Sequence, residues 1–487
     1  MQARTVGRNI IIYAIGIVAL RATSFLLIPL YTHFLSMKEF AILSTILITI
    51  QLMIYVMPVG TWDSVCKFFG KYKTENMISS LFGTSLILSL FGGILTSILA
   101  LTLFLPLLNR FIQSKETGKY VFLACLISLG QSLCQLMMAY YRAQNKAVSY
   151  LLIGMISSAL LLVLTPIFII MLNLGILGAL YAQVIAYLAV FFVVYLKLNR
   201  EFKFTFSLNS FKSLISFGIP LVISSLSMFV IQSSCIYFLG YYGTLEDIAI
   251  FSLGNKFSAI LAMLIMSPFQ LAFAPYFYSH SHTSEMKSFL PRIFIIMNFV
   301  SLILAYIILF LIKLVFPMIA PSSYFASYTV CIFLIPGIIL FSIKVIGETI
   351  LYNFNETARA GLIAFIFALG NLLINYLLIP HFKIYGAVAS SSLTMALLSI
   401  TILKLGADRY PFNTNLKKLV MINAMLILVL VNFFLIRNFA LPIFIVISLL
   451  LFAIILVFFF SNVFLELSDR AAIKKMLFQL IPIQRNL

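Results

Sequence analysis

Apolar residues run along this chain in long stretches broken by short polar clusters, from about Ile10 to the region of Phe460. At 1.5 Å rise per residue, a stretch of about twenty crosses the ~30 Å hydrocarbon core of a bilayer as an α-helix. The pattern predicts about fourteen such spans, centred near Ala19, Thr49, Phe91, Leu129, Leu161, Ile185, Ser227, Ala262, Ile303, Ile338, Ala368, Thr394, Leu428 and Ala453. The alternating apolar and polar segments of a membrane β-barrel are absent. The longest connection, around Lys197 to Lys212, has no room for a soluble domain. The first run, from about Ile10 to Leu30, carries Arg21 and lacks a small-residue cleavage site, so it reads as a transmembrane helix and not a signal peptide.

The pattern also repeats. An offset of about 208 residues brings Met37 to Ser44 onto Leu245 to Ser252, Phe68-Phe69 onto Tyr276-Phe277, and Leu177-Gly178-Ala179 onto Tyr385-Gly386-Ala387. A slip of two more pairs Asn145 with Asn355, each in the loop after the fourth span of its half. An even number of spans per repeat relates the halves by an axis along the membrane normal. The expected fold is therefore all-α and polytopic, with two six-helix lobes (residues 1–205 and 206–408) around a central cavity. Two extra transmembrane helices (409–465) and a cytoplasmic amphipathic tail (466–487) complete it. In the tail, Ile473, Met476, Leu477, Leu480 and Ile481 oppose Lys474 and Lys475, as in an interfacial helix.

Composition supports this reading: the 487 residues are 63% hydrophobic and 9% charged. The net charge of +19 invites a nucleic-acid partner, but its distribution excludes one. With the N-terminus inside, inner segments carry 22 of the 32 Lys and Arg, outer loops 6 and the spans 4 (Arg21, Lys256, Lys313, Lys344). That asymmetry is a topology signal which puts both termini in the cytoplasm. The five cysteines fall in or at the ends of spans without a C-x-x-C pair, and read as small buried apolar residues. His33, His280, His282 and His381 are scattered. No Walker loop, catalytic carboxylate pair or nucleophile elbow appears, so no catalytic residue, metal or cofactor is expected.

Charge inside hydrocarbon is costly and survives where it faces a cavity or a partner. Here the spans keep mostly cations, which points to an anionic substrate. Arg21 lies about eleven residues into its span, roughly 16 Å deep, with Ser24 and Thr32 on its face and Pro29 above. A guanidinium matches phosphate with two parallel hydrogen bonds, although an arginine can also cap carbonyls of a neighbouring helix. Lys256 sits in Gly254-Asn255-Lys256, a polar cluster in apolar surroundings; its alternative is a paired lysine. Lys344 and Glu348, and likewise Asp63 and Lys67, are spaced i, i+4 as self-contained salt bridges would be. Each pair could also exchange its carboxylate for a substrate phosphate, which makes Asp63 and Glu348 candidates for gating or ion coupling. Arg142, in Tyr140-Tyr141-Arg142, closes the fourth span at the inner face; it reads first as an ordinary positive-inside residue and second as a candidate substrate-binding cation.

Several of these residues sit in a longer pattern. Asn9-x-x-x-Tyr13 leads through Arg21 to Pro29-Leu30-Tyr31, followed by Leu35-Ser36-x-x-Glu39-Phe40 and by Val59-Gly60 ahead of Lys67. Phe251-Ser252-Leu253-x-x-Lys256 and Ser323-Tyr324-x-Ala326 continue it. Over essentially its full length the chain resembles the Wzx-type polysaccharide repeat-unit flippases of the MATE-like superfamily. The resemblance implies a non-enzymatic carrier of undecaprenyl-diphosphate-linked oligosaccharide from the inner to the outer leaflet of a bacterial plasma membrane. It also implies substrate-binding cations at Arg21, Lys67 and Lys256, with Lys at position 67 where Arg is common. The implied partners are the lipid-linked oligosaccharide, membrane lipids and other polysaccharide-assembly membrane proteins. Two other readings stand beside it. A drug or cation exporter of the same fold would need more buried carboxylate, and a membrane-embedded polymerase or ligase would need a large outer loop.

Overall fold

The computed structural model describes residues 23–460, apart from 75–76, 202–204 and 413–415. Arg21, most of the first predicted span and the amphipathic tail lie outside the described residues. Within them the chain is helical throughout, with no strand. The helices are α1 (Ile28–Phe34), α2 (Met37–Val56), α3 (Thr61–Thr74), α4 (Ile78–Leu99), α5 (Leu105–Ile112), α6 (Thr117–Ala143), α7 (Ala147–Pro166) and α8 (Gly175–Glu201). They continue as α9 (Leu208–Ser233), α10 (Cys235–Tyr242), α11 (Leu245–His280), α12 (Ser284–Ile319), α13 (Ala326–Asn353), α14 (Thr357–Arg409), α15 (Leu416–Ile436) and α16 (Leu441–Phe460).

Among the described residues, 11 helical stretches are long and apolar enough to cross a membrane, and a shorter apolar helix covers Leu441–Ile455. Every predicted centre from Thr49 onward falls inside one of these helices. The centres near Ala368 and Thr394 share α14, whose 53 residues would reach about 80 Å if straight, far beyond the ~30 Å core. Instead Lys383 leaves helical geometry (φ 47°, ψ −121°). Glu356, just ahead of the helix, is ion-paired with Arg409 at its far end. The element is a helical hairpin. Side chains such as Phe91, Val193 and Met318 point out of the protein at 66, 70 and 77% exposure, as expected where the solvent is lipid.

Local chemistry starts and stops the helices, and it does so alike at positions one repeat apart. Ahead of α2, the Ser36 N–H donates to Glu39 Oε2 (2.8 Å) and the Glu39 N–H to Ser36 Oγ (3.3 Å). Ahead of α11, Thr244 and Asp247 make the same reciprocal pair at 2.9 and 3.1 Å. After α6, Asn145 adopts φ 58°, its N–H donates to Arg142 O, and the Lys146 N–H donates to Tyr141 O. After α13, Asn355 adopts φ 60°, with the equivalent bonds to Tyr352 O and Leu351 O. These are matching left-handed helix stops, and asparagine is the residue after glycine that tolerates them best. Gly178 and Gly386 match as well: a Cβ would meet Phe168 O at 2.9 Å in one and Leu378 O at 2.5 Å in the other.

Contacts divide the described chain into two compact units. The first runs to Ser252 and includes Ile319–Pro321 and Ala364–Ala387. Its core gathers Phe69, Phe82, Leu133, Tyr140 and Leu214 with their neighbours, from α3, α4, α6 and α9. The second comprises Leu253–Met318, Ser322–Ile363 and the residues from Val388 on. It buries Phe257, Tyr328, Phe433 and Phe444.

Candidate functional site

Of the predicted site residues of the first unit, Asp63, Lys67 and Arg142 are described, and they lie at one end of its helices; Arg21 lies outside the described residues. Val59 (φ 49°) and Gly60 (φ 70°) break the long apolar stretch between α2 and α3, turning α3 onto a new axis. Val59 is β-branched, so its left-handed backbone is held by surroundings and not by preference. Gly218 of α9 is one cause: a Cβ there would lie 2.1 Å from Val59 O, so only glycine admits this approach. From the break, α3 carries Asp63, Cys66 and Lys67 toward the last turn of α6. There the asparagine stop holds Arg142 in position.

Arg142 Nη2 donates to Asp63 Oδ1 at 3.1 Å, and its Nε donates to Cys66 Sγ at 3.2 Å. The Cys66 thiol in turn donates to Ala139 O at 3.5 Å. The i, i+4 bridge expected between Asp63 and Lys67 is not the one made. Lys67 Nζ lies 3.7 Å from the centre of the Phe217 ring, a cation–π contact. An intrahelical pair at an exposed site gains only a few tenths of a kcal/mol, so a forked donor on a neighbouring helix readily displaces it. Cys66 also departs from expectation, since it is half-buried and helps aim the guanidinium.

The second unit holds the other candidates. Lys344 and Glu348 do pair along α13, in a contact where Lys344 is 2% and Glu348 13% exposed. Lys344 also lies 4.6 Å from the Phe341 ring centre. Lys256 is half-buried on α11, two residues after Gly254, which packs against Ser327 and Val330 of α13. Lys313, the remaining described cation of the spans, donates to Arg437 O at 2.6 Å and lies over the Phe325 ring.

One polar cluster escaped the sequence reading. In the first unit Ser234, at the junction of α9 and α10, donates to Asn371 Oδ1 (3.0 Å). Asn375 Nδ2 donates to both Ser234 Oγ (2.9 Å) and Asn371 Oδ1 (3.0 Å). All three are buried. The i, i+4 asparagines in an apolar span were the available signal, but uncharged amides do not stand out as lysines do. Among the described residues, no three His, Cys, Asp or Glu side chains converge as a metal site requires.

Residues 6–281 match the polysaccharide biosynthesis protein family. The chain belongs to that family. Among solved structures, it is similar to the lipid II flippase MurJ in an inward closed conformation, with TM-score 0.70 and 14% identity over 93% of this chain and 99% of that one. An inward-facing multidrug resistance MATE family transporter of the MOP superfamily matches with TM-score 0.64 and 16% identity, over 81% and 98%. A MOP superfamily transporter from Pyrococcus furiosus, described by a binding pocket of reverse polarity, matches with TM-score 0.53 and 16% identity, over 83% and 95%. At these identities the likeness is one of fold. A comparison with curated proteins finds no match. The helices and these likenesses agree on a multi-pass membrane protein with a MATE- and MurJ-like fold.

Proposed function

We propose that this protein is a flippase that moves undecaprenyl-diphosphate-linked oligosaccharide repeat units from the inner to the outer leaflet of a bacterial plasma membrane, for cell-surface polysaccharide. The observation that carries this reading is the Arg142 cluster. Two cations, Arg142 and Lys67, share one end of the first unit with the carboxylate of Asp63. Arg142 is braced by Asp63 and Cys66, remains 44% exposed and has further N–H donors to offer a diphosphate. Membership in a polysaccharide biosynthesis family supplies the sugar, and the likeness to a lipid II flippase supports a lipid-linked carrier.

In this proposal the head group crosses a hydrated, cation-lined path while its prenyl tail stays in lipid, and alternating access moves it. Arg21 and Lys256 are each assigned to binding the anionic substrate, with both termini cytoplasmic. The protein itself makes and breaks no covalent bond. The MATE neighbours favour one rival, a drug or cation exporter. Transfer of lipid-linked sugar into the outer leaflet of proteoliposomes separates the two. Arg21→Ala and Arg142→Ala should each lower the rate at least tenfold at normal protein levels, with lysine at either position restoring only part. Undiminished transfer in both alanine variants, or export of an organic cation by the unsubstituted protein, would favour the rival.

A further inference from the structure

Within the first unit, α7 and α8 leave a groove of about 240 Å³ between them. It is smaller than the ~300–1,000 Å³ that pockets for drug-sized ligands occupy. It runs from Ser149 to Leu160 along α7 and from Lys197 back to Ala189 along α8. From Ser149 to Leu160, eleven steps of helix rise make about 17 Å, close to half of a ~30 Å hydrocarbon core. Its walls are almost wholly apolar and open outward, with Ile156 and Val193 50 and 70% exposed. Among the described residues, Lys197 is its one charged lining residue, and it stands at the same end as Ser149. Tyr141, at the end of α6, also lines the groove, but Arg142, Asp63, Cys66 and Lys67 do not.

We propose that this groove is a binding site for an anionic phospholipid, one acyl chain lying between α7 and α8 and the head-group phosphate on Lys197. The dimensions choose the occupant. A groove about one leaflet long, whose lining ends at Leu160, fits the acyl chain of a phospholipid, whereas a carrier prenyl chain long enough to span more than a leaflet overruns it. Charge chooses the head group. Lys197 sits where a phosphate reaches the membrane surface, and a Lys there contributes about 1 kcal/mol of attraction to anionic lipid. By the orientation proposed above, the leaflet is the inner one. The inference requires a membrane protein and no particular cargo.

The test uses the full chain in detergent, with phosphatidylglycerol or phosphatidylcholine of equal chain length added, and native mass spectrometry counting retained lipids. The unsubstituted protein should hold one phosphatidylglycerol about fivefold more tightly than phosphatidylcholine, the equivalent of ~1 kcal/mol. Lys197→Gln should abolish that preference, while Lys212→Gln, an exposed cation of α9, should leave it intact. Val193→Trp, filling the open side of the groove, should reduce retention of both lipids. Absence of a head-group preference, or equal losses in the Lys197 and Lys212 variants, would overturn the site. If the tryptophan variant does not fold, the two exposed lysine variants still decide. Displacement of the bound phosphatidylglycerol by equimolar undecaprenyl phosphate would overturn the phospholipid assignment and give the groove to the carrier tail. Sugar-lipid transfer, measured separately, can fail without affecting any of these outcomes.

Discussion

Two cation–carboxylate pairs, one in each unit, were read from the same i, i+4 spacing, and they became different things. Lys344 and Glu348 close on each other inside α13, 2 and 13% exposed. Asp63 turns from Lys67 to Arg142 on another helix, and that pair stays 61 and 44% exposed. Burial accounts for the contrast. Within packed apolar helices neither Lys344 nor Glu348 has water to fall back on, so breaking the pair strands a charge. At the end of a span, water and an incoming anion compete for Arg142, and the pair is worth little. An exchangeable carboxylate therefore suits ligand binding, and a locked one suits holding a helix in place.

The sharpest way to break this comparison is to unpair the buried site. Lys344→Met should destabilise the purified protein by roughly 3–5 kcal/mol, because Glu348 is left buried without its partner. The double variant with Glu348→Leu should recover most of that loss. Unfolding followed by heat or denaturant in detergent reads both. A Lys344→Met protein of unchanged stability that no longer moves sugar-lipid would transfer this pair to the functional class.

A smaller effect is expected at the exposed pair. Asp63→Asn should change stability by less than about 1 kcal/mol. It should leave Arg142 more available, lowering the concentration of lipid-linked substrate needed for half-maximal transfer. Destabilisation approaching that of Lys344→Met would mean that Arg142 needs its carboxylate structurally.

The smallest effect is one of pH, at the clasp that closes the α14 hairpin. Partial burial alone would raise the Glu356 carboxyl, but hydrogen bonds and charge from Arg359 and Arg409 outweigh it and hold the group below the usual carboxylate range. A depressed carboxyl contributes stability above its unfolded-state value and loses it as pH falls through the folded-state value. The melting temperature should therefore decline slightly on the acid side, and Glu356→Gln should flatten that decline. An unchanged acid limb in the variant would remove Glu356 from the account.

The α-helical membrane fold was legible because lipid imposes one rule on every span: about twenty apolar residues with their backbone bonds closed internally. That rule fixes elements locally, so centres such as Ala368 and Thr394 could be placed without knowing that they share one bent helix. The matching helix ends were legible for a related reason. A capping pair at Ser36 and Thr244, and a left-handed stop at Asn145 and Asn355, are set by a few adjacent residues. The Lys344–Glu348 pair is local too, since neighbours on one helix face need no other element to meet. The partner of Asp63 was not local. Which cation reaches it depends on a break at Val59-Gly60, on Gly218 admitting the close approach, and on α6 ending beside α3. Ser234, Asn371 and Asn375 met by the same means, across more than a hundred residues of chain. One helix carries its own neighbours in its sequence, but contacts between helices depend on packing, and packing belongs to the folded chain as a whole.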